Sequence, residues 1–326
     1  MSDVSLVEAV NVALRRAMAE DARVLVLGED VGLNGGVFRA TEGLLKLYGE
    51  GRVLDTPLAE ASIAGVAIGL AAQGFRPVAE IQFTGFAYVC IDQLINHASR
   101  LRNRTRGRLT CPLVLRSPTG GGIHAPEHHS ESPEGMFAHI PGLKVVIPSS
   151  PARAYGLLLS AIRDPDPVVF LEPTRLYRAV REEVLDDAAG IPLECCFVLR
   201  SGRDITLVSW GAMLRETLEA AAQLSADGID AEVIDVATLK PLDSVTILNS
   251  VARTGRLIIV HEAPLTGGFG AEIAARVAGA GLMSLLAPIE RVAGYDTTMP
   301  YPLMEAAYMP SVDRIMAAAR RAIEYQ

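Results

Sequence analysis

Paired cysteines, excess basic charge and long apolar runs are all missing from this 326-residue sequence, and each absence removes a class of protein. The four cysteines (Cys90, Cys111, Cys195 and Cys196) show no C-x-x-C spacing, and the one adjacent pair is badly placed to bridge. A zinc ribbon and a disulfide framework are therefore excluded, and reduced thiols in a cytoplasmic setting are expected. Lysine and arginine number 30 against 38 acids, a net charge of −8, so no broad basic surface is offered to nucleic acid. The run Arg100, Arg102, Arg104, Arg106 and Arg108 alternates with other residues ahead of an apolar strand, as in a solvated loop or a partner contact. The longest apolar run, residues 61–73, is too short to span a bilayer and is rich in small residues that suit helix packing. No Walker A or G-x-G-x-x-G fingerprint is present. The N-terminal residues read as an amphipathic helix rather than a charged-then-apolar export signal: Ser5-Leu6-Val7-Glu8 has capping-box spacing, and Leu6, Val10, Leu14, Ala17 and Met18 share one helical face.

What is present is half hydrophobic and 21% charged, enough to bury two cores. Short β-rich runs at residues 24–27, 78–83, 113–116, 145–147 and 168–171 alternate with helical segments such as 152–162. A second set follows, with strands at 205–210, 231–236, 257–260 and 291–292 and helices at 213–224, 244–253 and 270–280. Such alternation implies parallel sheets, hence an α/β chain with two doubly wound domains. A polar, acidic stretch from Arg181 to Asp187 marks the approach to the boundary, which gives domains of residues 1–190 and 191–326.

Three stretches can carry chemistry. In Asp55-Thr56-Pro57-Leu58-Ala59-Glu60 an apolar strand ends at a proline turn and brings one carboxylate to the mouth of a helix with no further charge before Arg76. Helix starts attract acids for capping alone, yet burial beside a ligand would also let Glu60 hold or share a proton near neutral pH. Gly65 and Gly69, four residues apart, suit close approach by another helix. Open parallel sheets bind ligands beyond the carboxyl ends of their strands, so Glu29, Asp30, Glu60 and Gln82 can converge on one rim. Four of the six histidines fall between His124 and His139, around Gly120-Gly121-Gly122. A solvated loop, a metal site and a catalytic loop with one imidazole near its working pKa all remain open there. Thr266-Gly267-Gly268-Phe269-Gly270 opens a helix and suits tight packing or an anion cradle. No Gly-Asp-Gly followed by asparagine occurs, so a diphosphate with its Mg²⁺ would need other residues or another chain.

Taken in order, Leu27-Gly28-Glu29-Asp30-Val31, Gly35-Gly36-Val37-Phe38, Asp55-Thr56-Pro57-Leu58-Ala59-Glu60, Ala79-Glu80-Ile81-Gln82-Phe83, His128-His129-Ser130, the run from Pro141 to Pro148, Leu171-Glu172-Pro173 and His261-Glu262-Ala263-Pro264 resemble the β subunit of the thiamine-diphosphate-dependent E1 component of 2-oxo acid dehydrogenase complexes. The resemblance implies a transketolase-like pyrimidine-binding domain followed by a transketolase C-terminal domain. It also implies an α2β2 heterotetramer with cofactor at each α/β interface, the α subunit carrying the diphosphate and Mg²⁺ motif missing here. By the same resemblance Glu60 matches the carboxylate that hydrogen-bonds N1′ of the cofactor's aminopyrimidine and favours the tautomer able to deprotonate the thiazolium. Glu29 matches a second acid there, and Leu58, Gln82 and Phe86 match neighbours of the pyrimidine, Phe86 standing where branched-chain members often have tyrosine. His129 matches the histidine that assists acyl transfer to the lipoyl group of the E2 acyltransferase. Leu113, Ala161, Ile162, Asp164 and Asp166 match positions that hold a structural potassium ion, largely by main-chain oxygens.

The implied activity is oxidative decarboxylation of a 2-oxo acid. Residues 81–86 and 120–124 resemble pyruvate-type members of the family, whereas His261-Glu262-Ala263-Pro264 and Gly294-Tyr295-Asp296-Thr297 resemble branched-chain ones, and on that resemblance pyruvate is slightly preferred. Two rivals stand beside it: a self-sufficient transketolase-type enzyme, which should carry the diphosphate motif in the same chain, and a non-enzymatic interaction protein on a doubly wound fold.

Overall fold

A computed structural model describes residues 2–325. The chain divides into two compact units: residues up to Thr119 with Met136–Leu193, and Gly120–Gly135 with the residues from Glu194 onward. The glycine–histidine segment thus groups with the second half of the chain, and the junction between halves falls at Leu193/Glu194.

In chain order the first half contains β1 (Ser2–Ser5), α1 (Leu6–Glu20), β2 (Val24–Gly28), α2 (Leu44–Tyr48), β3 (Val53–Asp55), α3 (Glu60–Ala72), β4 (Arg76–Glu80), α4 (Ile91–Asn96), α5 (Leu101–Arg104), β5 (Val114–Thr119), α6 (Glu134–His139), β6 (Lys144–Val146), α7 (Pro151–Arg163), β7 (Val168–Pro173) and β8 (Arg181–Val184). Strands β6-β7-β5-β4-β2-β3 lie side by side in that order, every pair parallel. Strands β2, β5 and β7 are buried along their whole length, as expected where helices cover both faces of a parallel sheet. The expected capping box starts α1, with Ser5 N–H and Oγ–H donating to Glu8 Oε2 at 2.7 and 2.8 Å. Its buried face packs on α7, which begins with Pro151 behind the Ser150 cap.

Two features depart from the sequence expectation. Arg181–Val184 is a strand paired antiparallel with Ser2–Ser5, a short edge ribbon whose mostly polar sequence gives no alternation to detect. Strand β4 stops at Glu80, and Thr84–Cys90 winds into a 3₁₀ helix, so Gln82 and Phe83 lie past the strand rather than within it.

The second half contributes β9 (Phe197–Arg200), β10 (Ile205–Ser209), α8 (Leu214–Ala226), β11 (Ala231–Asp235), β12 (Thr238–Lys240), α9 (Ser244–Thr254), β13 (Leu257–Pro264), α10 (Gly270–Gly281), β14 (Glu290–Gly294), α11 (Pro302–Tyr308) and α12 (Val312–Glu324). Its sheet runs β14-β13-β10-β11-β9, parallel except for the antiparallel edge strand β9. The buried Thr206 hydroxyl is satisfied internally: its Oγ1 meets Ser250 Oγ at 2.6 Å and Thr254 Oγ1 at 2.7 Å. No helix among the described residues is long and apolar enough to cross a membrane.

Candidate active site

In the first unit the chain passes from β2 to β3 on one side and then to β4 on the other, so the winding reverses between β2 and β4. Crevices at such reversals, beyond the strand carboxyl ends, are where doubly wound sheets take ligands. Gly28 ends β2 without a side chain because a Cβ there would lie 2.7 Å from the Glu80 carbonyl oxygen. Glu29 follows at once, 7% exposed, and its Oε1 is buried with no hydrogen-bond partner. A buried carboxylate oxygen in that state costs free energy unless something else binds it.

Glu60 is the first residue of α3, and the residue at the helix cap is Ala59. An acid in this first turn suits the helix dipole, and no side chain caps the helix. Its charge is close enough to act on Glu29, whose pKa is raised, first by burial, then by Glu60 and by Asp30. Like-charge neighbours and desolvation both favour the protonated acid. Cys90 closes the cluster from below: its Sγ–H donates to the Glu60 carbonyl at 3.2 Å, and burial, with the Glu60 and Glu29 charges adding, pushes the thiol up to about 12. It is a packed, inert thiol rather than a nucleophile.

Gln82 Nε2 donates to Asp30 Oδ2 at 3.4 Å, so the segments after β2 and β4 touch across the reversal. Phe86 is half-buried and meets Phe83 edge-on at 5.9 Å, and Phe38 meets Phe83 at 5.4 Å, forming an aromatic wall. Leu58 is 80% exposed. The structure thus gathers Glu29, Glu60, Gln82 and Phe86 at one end of one unit, with Leu58 on its rim. Gly65 faces Gln93 Oε1, and Gly69 has nothing within 4 Å.

Beneath this rim lies a charged core that the sequence did not disclose. Arg116, 1% exposed, grips Glu172 with two bonds of 2.7 Å and also pairs with Glu80, while Tyr177 Oη–H donates to Glu172 at 2.6 Å. Burial raises Glu80, which offsets the excess negative charge of two carboxylates on one guanidinium.

Of the expected potassium positions, the Ile162 and Asp164 carbonyls both accept from Arg76 Nη1, at 2.8 and 3.3 Å. The Leu113 carbonyl accepts from Val168 N–H at 2.9 Å, and that of Ala161 from Asp164 N–H at 3.3 Å. The Asp164 and Asp166 carboxylates pair with Lys144 and Arg102. Among the described residues no three His, Cys, Asp or Glu are grouped to hold a metal ion.

His129 belongs to the second unit, at the end of a short 3₁₀ turn, Glu127–His129; it is half-buried while His128 is exposed. The segment around it meets two acids of the same unit. Gly121 N–H and Ser132 Oγ–H donate to Glu262, and Gly122 and His124 N–H to Glu305. Beside it is a cavity of ≈ 460 Å³ lined by Ser130, Glu131, Ser132, Thr266, Asp296 and Tyr308 among others. Glu134, where the segment ends, accepts from Trp210 Nε1–H at 3.2 Å, and burial drives its pKa up to about 7. The other side of the indole stacks on His261 at 5.3 Å and 9°. His261 is fully buried, and burial drives it down to about 4 against a smaller opposing contact with the Ala263 main chain. The glycines at 268 and 270 are explained by this ring, since a Cβ at either would lie 2.6 Å from it. Tight packing, one of the two expectations for that turn, is what the geometry supplies.

The transketolase pyrimidine-binding domain family matches residues 2–180, and the transketolase C-terminal domain family residues 196–315. A solved split-gene transketolase, an inactive β4 tetramer, superposes with a TM-score of 0.81 over 99% of each chain at 24% identity, a likeness of fold. The chain is therefore a two-domain α/β protein of the transketolase class. Along their full lengths, the chain is 49% identical to the pyruvate dehydrogenase E1 component subunit beta of Bacillus subtilis and 48% identical to that of Staphylococcus epidermidis. It belongs to the family of pyruvate dehydrogenase E1 component β subunits.

Proposed function

We propose that this chain works with an α-type partner to decarboxylate pyruvate on thiamine diphosphate and to pass the acetyl group to the lipoyl group of an E2 acyltransferase. The supporting observation is the Glu29–Glu60 pair at the winding reversal, with one buried carboxylate oxygen unsatisfied. These residues fit the pyrimidine half of the cofactor. Nothing in the sequence supplies the Gly-Asp-Gly…Asn motif for the diphosphate and Mg²⁺, which are assigned to the partner in an α2β2 assembly. When bound, the cofactor supplies a carbon nucleophile for the 2-oxo carbonyl and an electron sink for loss of CO₂.

Glu60 accepts a hydrogen bond from the aminopyrimidine N1′ and so holds a proton there. Glu29, kept protonated to higher pH than an ordinary carboxylate, limits the repulsion Glu60 feels. Gln82 and the Phe86 ring orient the pyrimidine, and Leu58 excludes water from its edge. His129 assists the later transfer by holding or moving a proton at the acceptor sulfur. Pyruvate is preferred over branched-chain acids because residues 81–86 and 120–124 have the pyruvate-type pattern and the similar full-length relatives carry that name. A cytoplasmic location follows from the free thiols in the same reading. A potassium ion at residues 113, 161, 162, 164 and 166 is a further proposal: the Ile162 and Asp164 carbonyls already turn toward one cation, the Arg76 guanidinium.

The test is Glu60→Gln in the assembled α/β enzyme. It should preserve assembly and lower pyruvate decarboxylation by about a hundredfold or more, the scale of a lost acid–base group. Near-normal turnover contradicts the role given to Glu60, and activity from the lone chain contradicts the divided site. Turnover of 3-methyl-2-oxobutanoate above that of pyruvate would reverse the substrate assignment.

A further inference from the structure

The backbone of the histidine segment has an unusual start: φ is positive at Gly120 (86°), Gly122 (77°) and His124 (58°), alternating with ordinary residues between them. Such alternation turns successive N–H groups toward one side, a concavity that binds anions. Here the anions are the protein's own. Glu305, 3% exposed, takes Gly122 N–H at 2.7 Å and His124 N–H at 3.2 Å, and the His124 ring nitrogen Nδ1 stands 3.0 Å from it. Glu262, 8% exposed, takes Gly121 N–H and, at 3.0 Å, Ser132 Oγ–H, tying the start of the segment to its end. A Cβ at residue 120 would stand 3.0 Å from both Glu262 oxygens, so the glycine leaves room for the clamp. The two main-chain donors go to different oxygens of Glu305, an arrangement a carboxylate accepts and a single amide oxygen does not reproduce.

We propose that Glu305 and Glu262 are positioning residues that fix the segment carrying His128 and His129, so that acyl transfer depends on them and decarboxylation does not. The proposal builds on the role given to His129 above. Their contacts with the segment are to main-chain N–H groups, to the Ser132 hydroxyl and to the His124 ring.

The experiment uses the assembled α/β enzyme carrying Glu305→Gln, with His129→Ala as a reference. Three quantities are measured: pyruvate decarboxylation with an artificial electron acceptor, acetyl transfer to a free lipoyl domain, and amide hydrogen exchange across residues 120–132. The Gln variant should exchange roughly tenfold faster over residues 120–125, as expected for losing a charged hydrogen-bond acceptor. Its kcat for transfer should fall about tenfold, with decarboxylation within about twofold of the parent. Unchanged exchange and transfer, or equal loss of both reactions, overturns the clamp. Normal transfer by the His129→Ala enzyme overturns the histidine's role instead, leaving the exchange result to judge the clamp by itself. Should Glu305→Gln fail to assemble, Ser132→Ala loosens only the Glu262 end and carries the same comparison.

Discussion

Replacing Glu134 by glutamine should change how the stability of the second unit depends on pH, and by a calculable amount. Glu134 is raised from 4.5 to about 7 by burial, so the folded state holds its proton more tightly than the unfolded chain. The stability this provides is full below pH 4.5 and is lost as pH rises through 7. At 1.36 kcal/mol per unit, the loss by pH 8 is about 3 kcal/mol. His261 does the opposite. Lowered from 6.5 to about 4, it favours folding fully above pH 6.5 and loses about 3 kcal/mol as pH falls through 4. Between pH 4.5 and 6.5 the two slopes cancel, each about 1.4 kcal/mol per pH unit. Glutamine copies the protonated acid in shape, keeps an acceptor for Trp210 and cannot ionise. The variant should match the parent near pH 4 and exceed it by about 3 kcal/mol at pH 8. Trp210 touches both groups and is the only tryptophan in the sequence, so its fluorescence in urea titrations at several pH values reports the transition directly. A difference between variant and parent that stays flat from pH 4.5 to 8 refutes the reasoning.

Other substitutions have expected outcomes of their own. Arg116→Met leaves Glu80 and Glu172 buried without their counter-charge and should cost about 3–5 kcal/mol, read as a lower urea midpoint; a loss under 1 kcal/mol would show the core tolerates the charges. His129→Ala should cut acetyl transfer to a lipoyl domain at least tenfold while leaving the first step nearly intact, in line with the range for acid–base groups; equal loss of both steps contradicts this. Gly142→Ala, at φ 87° and with its new Cβ driven against the Ser99 carbonyl, should destabilise by roughly 1–3 kcal/mol; an unchanged melting temperature would count against the strain.

Local pattern carried much of the architecture into the sequence. Val24–Gly28 and Val168–Pro173 are buried from end to end, and runs of that kind between helical segments leave few alternatives to a parallel sheet. Glu29, Glu60 and Gln82 could be placed on one rim because each lies just beyond the carboxyl end of its strand, Glu60 after a proline turn, so topology brings them together. The clamp on the histidine segment was hidden for the converse reason. Gly121 meets an acid 141 positions away and Gly122 one 183 positions away, through main-chain N–H groups that leave no trace in residue type. Arg116 was equally obscure: a lone arginine in an apolar run gives no sign of which acids on two neighbouring strands will neutralise it. The Arg181–Val184 ribbon was read as a connector because its mostly exposed residues look the same in either state.

The shared guanidinium at position 116 also constrains how this sequence can drift. Its two acids come from β4 and β7, the strands on either side of its own, so replacing the arginine alone strands both acids in the interior, whereas losing one acid leaves a one-to-one pair. Exchange for an apolar trio can begin at either acid, but the arginine and the remaining acid must then change nearly together, a route that single-step mutation rarely travels. Lineages descending from this chain should therefore keep the arginine for as long as either acid remains.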